Sequence, residues 1–398
     1  DVFLVPTDDN AATRNLTDTP GVRERFPQLS PDGTRVAYVS DATGEYQLYV
    51  RAVAGGTPAE QLTTGLDRTV YHLEWSPDGT KILFGNKDFA LFYVDVATKK
   101  LVKFASSNQL KNDEFYWEVS DYSWSPDSKW IAYSFVQLNR NNRIFLYNLE
   151  RGTSVPVTDE FYDSLNPSFD AAGGMLYFLS YRNFTARLDI FEDNHVVPDP
   201  VQVMAVQLVA GQRPPFDKVA KDAKKPEPQP FRIDLDGLAD RVFPLPVKAG
   251  NYFYLKAGKG MVTWASTDFF GDDEIEQVFT PSGKDVWTLH LFDIAEQKEV
   301  AVEATVPDWQ LSANREHMIV KKGDAYHVSA VAKAFAAKSA GDRLDLARMV
   351  VRVRPREEWA QIFADTWRWY RDFFYDPAMH GRDWQRIGDA YRAFLPDL

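Results

Sequence analysis

The residue types that could carry catalysis are thinly spread along these 398 residues. Six histidines, His72, His195, His290, His317, His327 and His380, are the candidates for proton transfer or metal ligation near neutral pH. None falls in His-Glu-x-x-His, the helical spacing in which two imidazoles grip zinc while the glutamate acts as base. No Gly-x-Ser-x-Gly elbow presents a serine nucleophile, and no glycine-rich loop ending in Gly-Lys followed by Ser or Thr offers its amides to a phosphate. With no cysteine in the chain there is no thiolate nucleophile, thiolate metal site or disulfide.

Two local clusters invite a closer reading. Asp272, Asp273, Glu274 and Glu276 crowd the stretch from Gly271 to Glu276. They lack the spaced ligands of an EF-hand, so an exposed acidic hairpin is expected there. His380, in Met379-His380-Gly381, is flanked by Asp376 and Asp383. A general base needs its nucleophile within hydrogen-bond reach, and no neighbour in sequence supplies one. The expectation is a histidine in a helix turn, with no catalytic, cofactor-binding or metal-binding residue assigned anywhere in the chain.

What the chain does carry is a repeat. Leu29-Ser30-Pro31-Asp32-Gly33 recurs as Trp75-Ser76-Pro77-Asp78-Gly79, as Trp124-Ser125-Pro126-Asp127-Ser128 and, worn, as Phe169-Asp170-Ala171-Ala172-Gly173, in steps of 46, 49 and 45 residues. Each intact copy ends one strand, turns with proline second and Gly or Ser fourth, and opens an alternating strand such as Arg35–Val39, Lys81–Phe84 or Trp130–Ser134. A third strand and a shorter fourth follow. Four antiparallel strands in a period of about 45 residues is the pattern of a β-propeller blade, because a sheet so small must lean on neighbours to bury its faces. Two weaker units begin near Tyr252 and Trp309, the last extending to Met349-Val350-Val351, and Val2–Val5 with Arg14–Leu16 read as half a blade. The expected fold is all-β, a seven-bladed propeller over residues 1–354 whose first blade is incomplete.

Two segments depart from the repeat. Between Tyr181 and Phe231 the alternation fails, and Gly211–Pro230 holds five prolines, four lysines and one aromatic, Phe216. Such a stretch buries too little to offset its ordering entropy, so an exposed loop is expected. After Pro355 the period changes: Trp359, Ile362, Phe363, Thr366, Trp367, Tyr370, Phe373 and Phe374 recur at three and four, which predicts a helix burying that face. A second helix is expected near Asp383 with Trp384, Ile387, Tyr391 and Phe394 inward, making residues 355–398 the start of a helical domain.

The totals bound the partners. Hydrophobic residues make up 44% and aromatics 14%, enough apolar surface for a globular fold. Lys and Arg number 45 against 57 Asp and Glu, a net charge of -12 that argues against a nucleic-acid partner. No run of about 20 apolar residues is present to span a membrane, and Asp1–Pro6 lacks the charged and then apolar start of a signal peptide. A soluble chain is expected, with the compartment, cytoplasmic or periplasmic, left open.

The Trp-Ser-Pro-Asp-Gly turn is similar to that of TolB and tricorn-type propellers. More specific are Thr19-Pro20-Gly21-Val22-Arg23-Glu24-Arg25, Ser40–Glu45, Ser125–Trp130, Ile233–Gly237 with Asp240-Arg241, Arg356-Glu357-Glu358-Trp359, Arg371–Pro377 and Met379–Trp384. In that order they resemble the second propeller of tricorn proteases and the start of the helical domain after it. The resemblance implies a serine peptidase built from two propellers, a helical segment, a PDZ domain and a catalytic domain, homo-oligomeric at full length. It further implies short peptides as substrates, reaching the active site through a propeller channel or filter. The family's Ser-His-x-Tyr stretch lies downstream of the Asp383-Trp384 match and its nucleophilic serine further on, so His380 is not the catalytic histidine. The Pro- and Lys-rich stretch departs from compact family members. A TolB-like scaffold without chemistry is the rival reading, and a prolyl-oligopeptidase-type propeller a third.

Overall fold

A computed structural model describes residues 1–7, 12–107, 121–188, 195–212, 216, 230–267 and 287–397. The acidic stretch 271–276 and nearly all of 211–230 lie outside these, including the expected acidic hairpin and exposed loop. The chain forms two compact units, Asp1–Ser120 with Asp345–Leu398, and Asp121–Leu344.

Among the described residues the strands assemble into six four-stranded antiparallel sheets. In the first unit, blade 1 comprises β3 (Glu24–Leu29), β4 (Arg35–Ser40), β5 (Gln47–Ala52) and β6 (Glu60–Gln61), and blade 2 comprises β7 (Val70–Trp75), β8 (Lys81–Asn86), β9 (Ala90–Asp95) and β10 (Leu101–Ser106). The second unit holds four more. Blade 3 is β11 (Tyr122–Trp124), β12 (Trp130–Val136), β13 (Asn142–Asn148) and β14 (Thr153–Pro156); blade 4 is β15 (Ser164–Phe169), β16 (Met175–Tyr181), β19 (Val201–Gln207) and β20 (Val242–Pro244). Blade 5 is β21 (Asn251–Ala257), β22 (Met261–Thr267), β23 (Trp287–Asp293) and β24 (Lys298–Val306); blade 6 is β25 (Asp308–Leu311), β26 (His317–Lys322), β27 (Ala325–Ala330) and β28 (Asp342–Arg343).

The blade count therefore corrects the expected seven to six. Among the described residues β1 (Phe3–Leu4) and β2 (Arg14–Asn15) pair only with each other, and two such short strands make a two-stranded sheet rather than a blade. Blade 6 closes with β28 and not with Met349-Val350-Val351; those three side chains are exposed, so nothing draws them into a ladder. Blade 4 keeps four strands because β19 pairs with β16 along seven residues beyond a small hairpin of β17 (Arg187–Leu188) with β18 (His195–Val196). A short helix, α1 (Val331–Ala337), follows β27 and buries Val331 and Ala334 in the core of blades 5 and 6.

The recurring turn explains the spacing physically. Its serine hydroxyl donates to the aspartate two residues on (Ser30 to Asp32 at 2.5 Å, Ser76 to Asp78 and Ser125 to Asp127 at 2.6 Å) and accepts the amide five residues on, which starts the next strand. The fourth residue closes the turn in the left-handed region, at φ 68° for Gly33, 67° for Gly79 and 59° for Ser128, where glycine is strain-free. Blade 6 repeats the device with Ser312, Asn314 and Arg315, a copy hidden from sequence because only the serine is retained. Apolar residues on the faces of the sheets then fill the spaces between blades. Blades 1 and 2 share a core of Val39, Leu48, Leu73, Ile82 and Phe84, sealed at one end by Arg35, which lies 5.0 Å from the Trp75 ring and donates to the Gly79 carbonyl.

Ser76→Ala leaves the Lys81 amide and one Asp78 oxygen without their buried partner and should cost about 1–3 kcal/mol in urea unfolding. The hydroxyl of Ser30, then Thr34, holds the Asp32 carboxyl down at about 2 from 3.8. The unfolded chain thus takes up that proton more readily, so the contribution is complete above pH 4 and disappears as pH falls through 2. Asp32→Asn is expected to flatten the acid limb of the unfolding midpoint between those values.

Candidate functional site: a charged clamp between helix and blades

Pro355 sits in the first turn of a 19-residue helix, α2 (Pro355–Phe373), where its missing N–H is harmless. A second helix, α3 (Trp384–Arg392), is capped by Asp383, whose carboxylate accepts the Arg386 amide at 2.9 Å. The two helices lock through a reciprocal pair: the indole N–H of Trp367 donates to the Trp384 carbonyl and that of Trp384 to the Trp367 carbonyl, both at 3.1 Å. Gly388 permits this approach, since a Cβ there would stand 2.5 Å from the Trp367 indole nitrogen.

The face that α2 buries is not the one its aromatic spacing predicts. Ile362 and Tyr370 are more than half exposed and Trp359 is 42% exposed, while Arg368 is 3% and Asp365 8% exposed. On α3, Tyr391 and Phe394 just beyond it also face solvent instead of packing inward. The docked stripe is Gln361, Asp365, Arg368 and Asp372, again at helical spacing but polar. Blades 1 and 2 present matching groups, and that complementarity overrides the usual rule that a helix buries its apolar side.

Arg368 is the centre. Its guanidinium donates to Asp41 Oδ2 at 2.6 Å and to the Gly44 carbonyl at 2.6 Å, lies 3.4 Å from Asp365 Oδ1, and stacks 4.7 Å from the Tyr46 ring. Asp365 in turn accepts from the Tyr46 hydroxyl and from Arg23. Burial pulls the Arg368 guanidinium down, but the Asp41 carboxylate and Tyr46 outweigh it and hold the group above its ordinary value. Burial, then the bond to Asp365, pushes the Tyr46 hydroxyl up to about 12, so it stays a donor at physiological pH.

A second ion pair continues along the helix. Arg371 forks across Glu45 at 2.6 and 3.1 Å and reaches Asp372 at 2.8 Å. Asp372 Oδ2 accepts both the amide and the hydroxyl of Thr69 at 2.8 Å, and Lys87 rests 5.1 Å from the Phe373 ring. Gly21 at φ 76° lets the chain touch the start of α2, because a Cβ would come within 2.7 Å of the Glu357 Cβ.

The sequence candidates are scattered. His380, at φ 53° in the turn between α2 and α3, contacts the Tyr375 hydroxyl and donates its amide to Asp376 at 2.8 Å, while Asp383 is committed to its cap. His72 meets the Phe26 ring, His327 approaches the Gly341 carbonyl at 3.1 Å, His317 is exposed at the start of β26, and His195 lies in β18. His290 belongs to a constellation sequence could not show: Ser266 Oγ is 2.7 Å from its Nε2 and Glu299 Oε1 2.8 Å from its Nδ1, across three neighbouring strands. The carboxylate lies out of line for the Nδ1–H, which makes no hydrogen bond, and the ring stacks parallel to Trp264, so the arrangement lacks the aligned relay of a serine nucleophile. Among the described residues no group of three His, Asp or Glu could hold a metal.

Comparison with known proteins decides the family. The family model described as the tricorn protease second beta propeller domain matches residues 1–332, and the one described as the tricorn protease C1 domain matches 355–398. The chain belongs to the tricorn protease second-propeller family. Tricorn protease homolog 1 of Streptomyces coelicolor is 28% identical over 98% of this chain and 38% of its own length. A putative tricorn-like protease C-terminal subunit of Sulfurisphaera tokodaii is 26% identical over 99% of this chain and 43% of its own. The chain thus spans about two fifths of these tricorn relatives. The crystal structure of the tricorn protease matches with a TM-score of 0.81 over 96% of this chain at 21% identity, which shows the propeller fold. The clamp therefore joins residues of the propeller match, Arg23 to Lys87, to the segment matching the C1 domain. No helix among the described residues is long and apolar enough to cross a membrane.

Arg368→Ala leaves the buried Asp41 carboxylate without its counter-charge and should destabilise the first unit by about 3–5 kcal/mol, whereas truncating a half-exposed partner such as Arg23 should cost about 1 kcal/mol or less. Urea unfolding together with the rate of proteolytic release of residues 355–398 measures both.

Proposed function

We propose that this chain is the non-catalytic propeller and first helical part of a tricorn-like serine peptidase, and that it guides or filters short peptides toward an active site outside these residues. The observation that carries the reading is the clamp. A propeller acting as a peptide path must hold a fixed orientation to the polypeptide that cuts. The buried Arg368–Asp41 pair and the Arg371–Glu45 fork supply directional contacts between blade 1 and the C1-matching helix. Directional bonds define orientation more sharply than an apolar contact of equal size.

The same reading makes PDZ and catalytic domains of the same polypeptide the intramolecular partners, with homo-oligomers at full length. The dispersed histidines and the misaligned Ser266–His290–Glu299 set support a guiding rather than a cutting role. A scaffold of the TolB kind has no use for a clamped C1-matching helix, and this weighs against the rival.

The test compares this 398-residue chain with the full-length protein on short fluorogenic peptides. The full-length protein should cleave them and lose activity to a serine-directed reagent, while the chain alone should show no turnover. Reagent-sensitive turnover by the chain alone would place the catalytic machinery inside these residues and end the reading.

A further inference from the structure

In the second unit the first strands of blades 3, 4 and 5 lie side by side, and each is an edge strand of its own sheet. In a propeller this is the edge that faces the axis. Edge strands expose unpaired amides, which recruit any extended peptide nearby. Here those amides are occupied in a repeating way. Four residues before its turn, blade 3 carries Asp121, which accepts the Asn166 amide of blade 4 at 3.2 Å and its side-chain amide at 2.6 Å. Two residues later, Ser123 accepts the Phe169 amide at 3.2 Å. Blade 4 repeats the stitch on blade 5: Asn166 accepts the Tyr254 amide and Ser168 the Ala257 amide, both at 2.9 Å.

The backbone is bent to allow it. Asn166 and Tyr254 sit in register shifts of β15 and β21 at φ 53° and 55°, a left-handed conformation costly for any residue with a Cβ. Phe26 and His72 occupy the same position of blades 1 and 2, also at positive φ. In blades 4 and 5 the bulge turns the amides of Asn166 and Tyr254 toward the preceding blade. Tyr254 is half exposed, and its ring is braced by Trp287 at 5.1 Å and Trp309 at 6.2 Å.

We propose that Asp121, Ser123, Asn166 and Ser168 seal the first-strand edges of blades 4 and 5, so that a passing peptide cannot add as a strand and is read through its side chains, with Tyr254 as a contact. This rests on the peptide-guiding reading above and specifies its mode. A path that bound backbones would retain every peptide alike; a sealed one releases them and discriminates by side chain.

The experiment uses the full-length protein, one short peptide substrate, and the same peptide N-methylated on alternate backbone nitrogens away from the scissile bond. Methylation should change the wild-type KM by less than about twofold, because no strand is added. Asn166→Ala with Ser168→Ala frees the Tyr254 and Ala257 amides; their hydrogen exchange should quicken, and KM for the unmethylated peptide alone should fall about fivefold, the yield of one or two new hydrogen bonds. Ser168→Thr, which keeps the hydroxyl, should behave as wild type. Tyr254→Gly relieves the left-handed strain while removing the ring, so KM should rise about fivefold for both peptides with kcat unchanged and no loss of thermal stability. If the double variant fails to fold, Ser168→Ala alone, which frees the Ala257 amide, carries the comparison. A wild-type KM raised tenfold by methylation, or freed amides with unchanged KM, overturns the sealing while leaving the peptide-guiding reading intact. A full-length protein that cleaves no peptide defeats that reading and this inference with it.

Discussion

A four-stranded sheet leaves two apolar faces and two open edges, and every other feature of this chain answers that constraint. The faces are answered by apolar residues such as Phe84, Phe178 and Trp264, which are fully buried between successive blades. The first-strand edges of blades 4 and 5 are answered differently, by hydroxyl, carboxylate and amide side chains from the blade before. Face burial is non-directional and tolerates sliding; the stitches are directional and set the register of one blade on the next. Together they make a stack of small sheets behave as one body within each unit, which isolated hairpins cannot do.

The clamp extends the same logic to the helix. Exposed ion pairs add little, and a buried charge without a partner is a heavy cost. Asp41 and Arg368 are both nearly fully buried, and each is the other's opposite charge at 2.6 Å, with the Gly44 carbonyl and the Arg23 amide adding to their hydrogen bonds. The gain is less in stability than in uniqueness: rotating α2 by one residue would carry Arg368 about 100° around the helix axis and away from Asp41. A purely apolar helix face could slide along the blades at small cost. Of the aromatic stripe on α2, Trp367 and Tyr370 meet Trp384 of α3, and Trp359 and Ile362 stay largely exposed, so the seat of the helix on the blades does not depend on it.

The repeat was legible because its turn is local. Serine, proline, aspartate and a residue able to take positive φ sit within four positions, and their hydrogen bonds close within six, so Ser30–Gly33 and Ser76–Gly79 announce their own geometry. The start of α2 at Pro355 and the cap at Asp383 were legible for the same reason. What the sequence concealed is relational. The expected seventh blade rests on Val2–Val5 and Arg14–Leu16, whose alternation cannot reveal that, among the described residues, Phe3–Leu4 and Arg14–Asn15 pair with each other and with no blade. The aromatic stripe of α2 suggested a buried face because propensity arguments weigh the helix alone, whereas the choice was made by Asp41, Glu45 and Tyr46, more than 300 positions away. Ser266, His290 and Glu299 likewise meet only through the pairing of three strands. A polar stripe at 361, 365, 368 and 372 was the available signal for the clamp.

The left-handed residues bring these strands of reasoning together. A bulge with glycine would bend the first strand at less strain, yet Phe26, His72, Asn166 and Tyr254 occupy it. A side chain held there against its backbone preference must return something that glycine cannot. For Asn166 the return is visible in three hydrogen bonds: its backbone amide and side-chain Nδ2 donate to Asp121, and its side-chain Oδ1 accepts from the Tyr254 amide of the next blade. For Tyr254 the backbone amide would be stitched equally well by glycine, and only the ring distinguishes the two. Part of the return is packing, since Trp287 and Trp309 brace that ring. But half of the residue is left to solvent, which is poor use of an aromatic whose only role is to pack. The exposed half is where a contact beyond the fold can be made, and its fixed backbone means that such a contact begins with its entropy already lost.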